Sequence, residues 1–188
     1  MSDDAVQEIY RALMEGELDD RDLSARRIGK LLGKTTSVLY HHFGSLDGFL
    51  YAVSQRGFAD LRSELEVAFR ERSSLEAVAE TFVVFALDHP ELYPLMFERR
   101  FDWSALRAAG AFETTNAGGE MFAALLCLFE AAGSDDPMAD CRLFVAGLHG
   151  LVSLAASGRM NAGELTSTDR AVAIASARDL VSRLVPKG

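Results

Sequence analysis

The sequence predicts an all-α protein of about nine helices, and three observations carry that expectation. Apolar residues recur at a spacing close to 3.6 nearly everywhere. No segment alternates apolar and polar residues over the length of a strand. Glycines, prolines and short polar residues stand where helices would have to stop and start. The chain can fill a core, since 188 residues at 49% hydrophobic suffice for one large or two small helical domains.

Taken in order, Val6, Ile9, Tyr10, Leu13 and Met14 share one face of the first helix, with Asp3 as candidate N-cap and Gly16 as stop. The second helix runs from about Ala25 to Leu32, capped by Ser24 and ended by Gly33. The third starts near Thr36 with Thr35 as cap and ends by Gly44. Ser45 caps a long fourth helix carrying Leu46, Phe49, Leu50, Val53, Leu61, Leu65 and Phe69. Gly57 inside it costs about 1 kcal/mol against alanine and is a candidate kink.

Ser73 and Glu76 have capping-box spacing and open a fifth helix that runs to Asp88, where His89-Pro90 breaks it. A short sixth helix to about Arg100 is expected to be irregular, because Pro94 lies beyond its first positions. Phe101 to Gly110 reads as loop or partial helix, and Phe112 to Ala132 as the seventh helix. The GSDDP run, Gly133 to Pro137, stops it and starts an eighth that reaches about Ser157. Thr166 and Asp169 stand at the start of a ninth helix ending near Val185.

Charge and composition exclude several function classes. The net charge of −9 does not favour non-specific attraction to phosphates. Cys127 and Cys141 have neither CxxC spacing nor a histidine cluster, so they read as small packing residues, with a redox pair as the alternative. No apolar run is expected to reach the length of a membrane span, and the acidic start MSDDAVQEIY has no signal-peptide layout, so a cytoplasmic location and no membrane partner are expected. The sequence shows no metal-ligand constellation, nucleophile elbow, phosphate loop or paired-carboxylate site, which argues against an enzyme and implies no cofactor.

The segment with the most specific chemistry is Leu23 to Leu50, LSARRIGKLLGKTTSVLYHHFGSLDGFL. A helix-turn-helix needs two short helices crossing steeply, a tight turn between them, and polar side chains on the outer face of the second. Here Ile28, Leu31 and Leu32 form the inner face of one helix, Gly33 makes the turn, and Val38, Leu39 and Phe43 face inward from the next. Thr35, Thr36, Ser37, Tyr40 and His41 are left outside, able to hydrogen-bond to phosphates or base edges. Arg26 is a candidate partner for guanine.

Gly33, then Leu39-Tyr40-His41-His42-Phe43, then a Ser-capped helix, resembles the TetR family of bacterial transcriptional regulators over about the first fifty-five residues. The resemblance implies base or groove contacts from Arg26, Thr36, Ser37 and Tyr40. It implies backbone contacts from Ser24, Lys34, Tyr40 and His42. Two of these have a structural alternative: the Tyr40 ring can pack on the preceding helix, and His42 can cap its own. Three departures stand out. Leu46 occupies a position where the family usually has lysine, Lys34 follows the turn glycine in place of an apolar residue, and Ser2-Asp3-Asp4 replaces a basic start. The first fifty residues hold six Lys/Arg against nine Asp/Glu. Fewer phosphate contacts imply weaker binding and a shallower salt dependence.

The expected organisation is a three-helix helix-turn-helix DNA-binding domain at 1–50 and a helical ligand-binding and dimerisation domain at 51–188, with the fourth helix shared. HPELYPLMFERR (His89 to Arg100) and LFVAGLHGLVSL (Leu143 to Leu154) resemble a TetR subgroup with a His-Pro-Glu-Leu segment and a Trp-x-x-x-His-Gly motif. Here Val145 stands four residues before His149, so the tryptophan is absent.

The aromatic and methionine load falls in this part of the chain, consistent with an apolar ligand pocket between the fifth and eighth helices. Its candidate lining is Phe82, Phe85, Met96, Phe97, Phe101, Trp103, Phe112, Met121, Phe122, Leu125 and Phe129, with Arg99, His149 and Ser153 as polar members. The alternative is that these are ordinary core residues. Small and apolar residues on the last two helices, Ala146, Gly147, Gly150, Leu151, Leu154, Ile174, Val181 and Leu184, suit a four-helix bundle across a two-fold axis, unless one stripe packs inside the monomer. The expectation is a homodimeric repressor of a double-stranded DNA operator, released by a small, largely apolar inducer. The alternative is a binding or scaffold protein that keeps the fold with weak or no DNA affinity.

Overall fold

The computed structural model describes residues 2–33, 36–111, 116–161 and 168–185, with backbone alone for Ser2, Asp20 and residues 36–39. The fold is all-α. Ten α-helices lie among the described residues: α1 Ser2–Met14, α2 Ala25–Leu31, α3 Thr36–Phe43, α4 Leu46–Arg72, α5 Leu75–Asp88, α6 Leu92–Phe97, α7 Trp103–Ala108, α8 Ala117–Ala131, α9 Pro137–Ala156 and α10 Asp169–Leu184. A 3-10 turn, Asp20–Asp22, precedes α2.

Most of the punctuation expected from the sequence is in place, and the exceptions have simple causes. α1 already includes Asp3, so Asp3 is not its cap. α5 is capped by Ser74, whose Oγ accepts from the Ala77 N–H at 3.1 Å, while Ser73 takes a left-handed φ of 48° in the turn before it. Pro94 is the third residue of α6, within the first turn, where its missing N–H leaves no intrahelical bond unmade, so α6 is regular. Phe101 to Gly110 contains a true helix, α7, because Asp102 caps it by accepting from the Ala105 and Ser104 N–H groups. Those bonds hold the Asp102 carboxyl below the usual carboxylate range. α10 is capped by Thr168; Thr35, the expected cap of α3, and Thr166, expected at the start of the last helix, lie outside the described residues.

The chain forms two compact units: Met1–Asp60 with His89–Gly118, and Leu61–Asp88 with Gly119–Gly188. In the first, Ile9, Leu13, Leu18, Ile28, Phe49, Leu50, Val53 and Leu92 are buried. The Tyr10 hydroxyl donates to Asp60 at 2.6 Å, and the Arg56 guanidinium lies 5.9 Å over the Tyr10 ring, tying α1 to α4. α4 runs through Gly57 without a break. A Cβ there would stand 2.6 Å from Met96 Sδ and 3.3 Å from Leu92, so the glycine serves a close approach of α6 and is not a kink. Phe58 packs on Phe97 with ring centroids 5.1 Å apart, and Gln55 Oε1 accepts from the Gly118 N–H at 3.2 Å.

In the second unit α5 is the central helix, with α9 and α10 packed on it. Phe82, Val83 and Phe85 of α5, Phe144, Leu148 and Val152 of α9, and Ala173, Ala177 and Val181 of α10 are buried. Each large apolar side chain contributes about 1.5–3 kcal/mol of transfer free energy. α9 and α10 approach closely at Gly147, where a Cβ would be 2.5 Å from Leu180 Cδ2. Glu80 accepts from Arg178 at 2.7 Å and from Arg72 at 3.1 Å. Arg170 donates to Asp88 at 2.6 Å.

Candidate nucleic-acid interface and apolar groove

The Leu23–Leu50 segment builds its turn from backbone requirements. Ser24 is extended, and its Oγ accepts from the Arg27 N–H at 3.3 Å, opening α2. Gly33 ends α2 at φ +60°, and Gly44 ends α3 at φ +70°, where a Cβ would meet its own carbonyl. Ser45 then opens α4 by accepting from the Gly48 N–H at 2.9 Å. A side chain at Gly48 would run into the Phe43 carbonyl. Phe43 and Phe49 meet edge to face with centroids 5.0 Å apart, so α3 is seated on the first turn of α4.

Tyr40 is 49% exposed, so its ring is not buried on α2. His41 and His42 are exposed, their rings edge to face at 5.1 Å. Arg26, Arg27 and Lys30 are exposed on α2, while the exposed Ser24 has its hydroxyl engaged as a cap. Thr36 and Ser37 lie in α3 by backbone, and Lys34 and Thr35 lie outside the described residues.

Arg99 is placed differently from the expectation that it anchors an inducer pocket. Its Nη2 donates to Asp47 Oδ1 at 2.9 Å, in the first turn of α4. Asp47 Oδ2 also accepts from the Asp102 N–H at 3.4 Å. The guanidinium lies 5.6 Å over the Phe101 ring, which meets Tyr51 and Trp103 edge to face. Burial raises the Tyr51 hydroxyl above the usual tyrosine range.

The other expected ligand residues divide between the two units. Met96 and Phe101 are buried in the first, with Phe97 stacked on Tyr93 at 4.7 Å and Trp103 54% exposed; Phe112 lies outside the described residues. In the second unit Phe82, Phe85 and Phe129 are core, with Phe129 against Phe144 at 5.4 Å. Met121 and Leu125 instead line a groove of about 370 Å³ between α4 and α8. Its other walls are Leu65, Phe69, Ala124 and Leu128, and Arg62, Glu66 and Arg70 form the rim. Four wall residues escaped the sequence reading, although Leu65 and Phe69 stand at i, i+4, and Leu125 and Leu128 at i, i+3. Phe122 is half-buried on α8; on α9, His149 is half-buried and Ser153 exposed.

Against the expectation that no run reaches such a length, α9 is the one helix among the described residues long and apolar enough to cross a membrane, at 20 residues, because its window tolerates Asp140 and Arg142. Only 22% of its apolar window is buried in the chain. Leu143 is 57% and Leu154 45% exposed, Ala146 is exposed, and the space beside Gly150 is open. Leu151, Ile174 and Leu184 are half-buried. Gly147, expected at a subunit interface, lies in the seam between α9 and α10, because its bare backbone admits Leu180, and Val181, expected there too, is buried within the chain.

The architecture defines a class: an all-helical chain in which α1 is followed by the short helices α2 and α3, with Gly33 ending α2, and then by the long α4 and further helices. A family model described as tetracyclin-repressor-like, C-terminal domain, matches residues 75–178, and the chain belongs to this TetR family of regulators. The chain is similar in fold to a solved structure described as "Structure of a protein with unknown function from Rhodococcus sp. RHA1". The TM-score is 0.64 at 24% identity, over 94% of this chain and 95% of that one. No curated protein matches the chain.

Proposed function

We propose that the chain is a cytoplasmic, homodimeric, DNA-binding transcriptional repressor released by a small, largely apolar inducer. The observation that carries this reading is the division of faces on α3. Phe43 packs on Phe49, while Tyr40, His41 and His42 stand in solvent, and Arg26 is exposed on α2. A helix with that division can enter a major groove, with its polar face toward the bases.

Two further features support the reading. The exposed apolar face of α9 at Leu143, Ala146, Gly150 and Leu154 suits a second copy of the chain, and a two-fold dimer matches a near-palindromic site whose successive major grooves lie about 34 Å apart. The groove between α4 and α8 has a volume within the range of small-molecule sites and apolar walls, which favours an apolar inducer. Inducer binding would shift the population toward a spacing that no longer fits successive grooves.

The acidic balance of the first fifty residues favours a second reading, a regulator fold that binds a partner without DNA affinity. Gel shifts against genomic fragments at low salt separate the two. A shifted fragment that is released by an apolar ligand supports the repressor, and no shift at any salt supports the scaffold.

A further inference from the structure

We infer that Arg99 is a positioning residue of the DNA-reading helix, acting through Asp47; the functional side of this inference rests on the DNA-binding reading above. Arg99 belongs to the stretch matched by the family's C-terminal domain, yet it lies in the same compact unit as α1 to α3. Its guanidinium takes hold of α4 at Asp47, the second residue of that helix.

The next two residues carry the contact onward. Gly48 leaves no room between the first turn of α4 and the Phe43 carbonyl, and the Phe49 ring packs against the Phe43 ring at 5.0 Å. Phe43 is the last residue of α3. A tilt of the first turn of α4 therefore cannot leave α3 in place, because packed main chain at Gly48 has no slack to absorb it. The sequence Arg99, Asp47, Gly48/Phe49, Phe43 is a rigid path from the α6–α7 link to the end of α3.

The hold is a single-point contact at the edge of solvent. The Arg99 and Asp47 side chains are 28% and 31% exposed, so the pair is neither buried nor freely solvated. Arg99 Nε is buried and makes no hydrogen bond among the described residues, so the carboxylate is gripped through Nη2 and not by the two-point fork that guanidinium allows. The Phe101 face under the guanidinium adds a contact that keeps the arginine aligned.

The test is hydrogen exchange on the full-length chain, as wild type, Arg99→Gln, Asp47→Asn and the double variant. Each single variant is expected to speed exchange of the amides from Tyr40 to Gly44 about fivefold, leaving α5 and α10 unchanged, since local opening reports local hold. The double variant should be no faster than either single one, because the pair acts as a unit. Unchanged exchange at the end of α3 in the single variants, or additive effects in the double, overturns the inference. A second arm uses a duplex enriched by the wild-type chain from a random 30-base-pair pool. Arg99→Gln should bind it about tenfold more weakly while binding a scrambled duplex as the wild type does. Equal affinity for the enriched duplex counts against the inference. If the wild type enriches nothing, the DNA-binding reading fails, and the exchange arm still decides the path from Arg99 to α3.

Discussion

The main-chain carbonyl of Phe43 fills the space that a side chain on Gly48 would need. Alanine in a helix interior ordinarily gains up to about 1 kcal/mol over glycine. Here the clash is with backbone, which cannot rotate away, so Gly48→Ala is expected to lose about 1–3 kcal/mol of stability. Chemical denaturation checks it, and an unchanged or raised midpoint would show that α3 is not seated where described.

Glu80 gives the second unit an acid-sensitive cross-link. Its pKa is lowered, chiefly by the hydrogen bond from Arg178 and also by Arg72. A depressed carboxyl contributes stability that is present above its ordinary pKa and is lost as pH falls through the folded-state value. Glu80→Gln should therefore cost less than about 1 kcal/mol at neutral pH, given the exposure of the arginines. It should also flatten the loss of stability as the medium becomes acidic. Urea midpoints from neutral to acidic pH measure both effects; an identical acid slope in the variant would contradict the assignment.

The two cysteines differ in reactivity. Cys127 is exposed, whereas Cys141 is buried and its thiol is pushed up to about 11 by burial. Thiolate is the reactive form, so a maleimide at neutral pH should label Cys127 and leave Cys141 unlabelled until the chain unfolds. Mass spectrometry of the labelled peptides reads the outcome. Equal labelling in the native protein would mean that α9 opens readily at Cys141.

The exposed leucines of α9 bear on the proposed homodimer. Replacing Leu143 and Leu154 by glutamate puts charge into a face that a second copy would cover, while neither side chain is part of the chain's own core. Sedimentation velocity should show a dimer in the wild type and a monomer in the double variant, with thermal stability shifted only as far as dissociation requires. A dimer that survives both substitutions places the interface elsewhere.

The helices were legible because the signals for them are local. Apolar spacing and the glycine stops at Gly16, Gly33 and Gly44 depend on a few neighbouring residues, and the structure keeps them. The serine at position 74 displaced Ser73 as cap because both residue types fit and only the backbone turn decides between them. Gly57 and Gly147 could not be read correctly, since each answers to a side chain distant in sequence, Met96 and Leu180. Arg99 carried no hint that it would reach Asp47, fifty-two positions away. The same limit explains the groove: Leu65 and Phe69 were visible as an apolar stripe, but the partner stripe on α8 is a tertiary fact.

In the proposed repressor, α3 reads DNA through a polar face with little help from bulk positive charge. The direct measurement is footprinting of a duplex enriched by the wild-type chain, with wild type and the Thr36→Ala, Tyr40→Ala double variant, across a range of salt. The wild-type footprint should weaken only gently with salt, because few phosphates are neutralised, and should be lost in the double variant. A footprint retained by the double variant, or a steep salt dependence of the kind that many phosphate contacts produce, would contradict it.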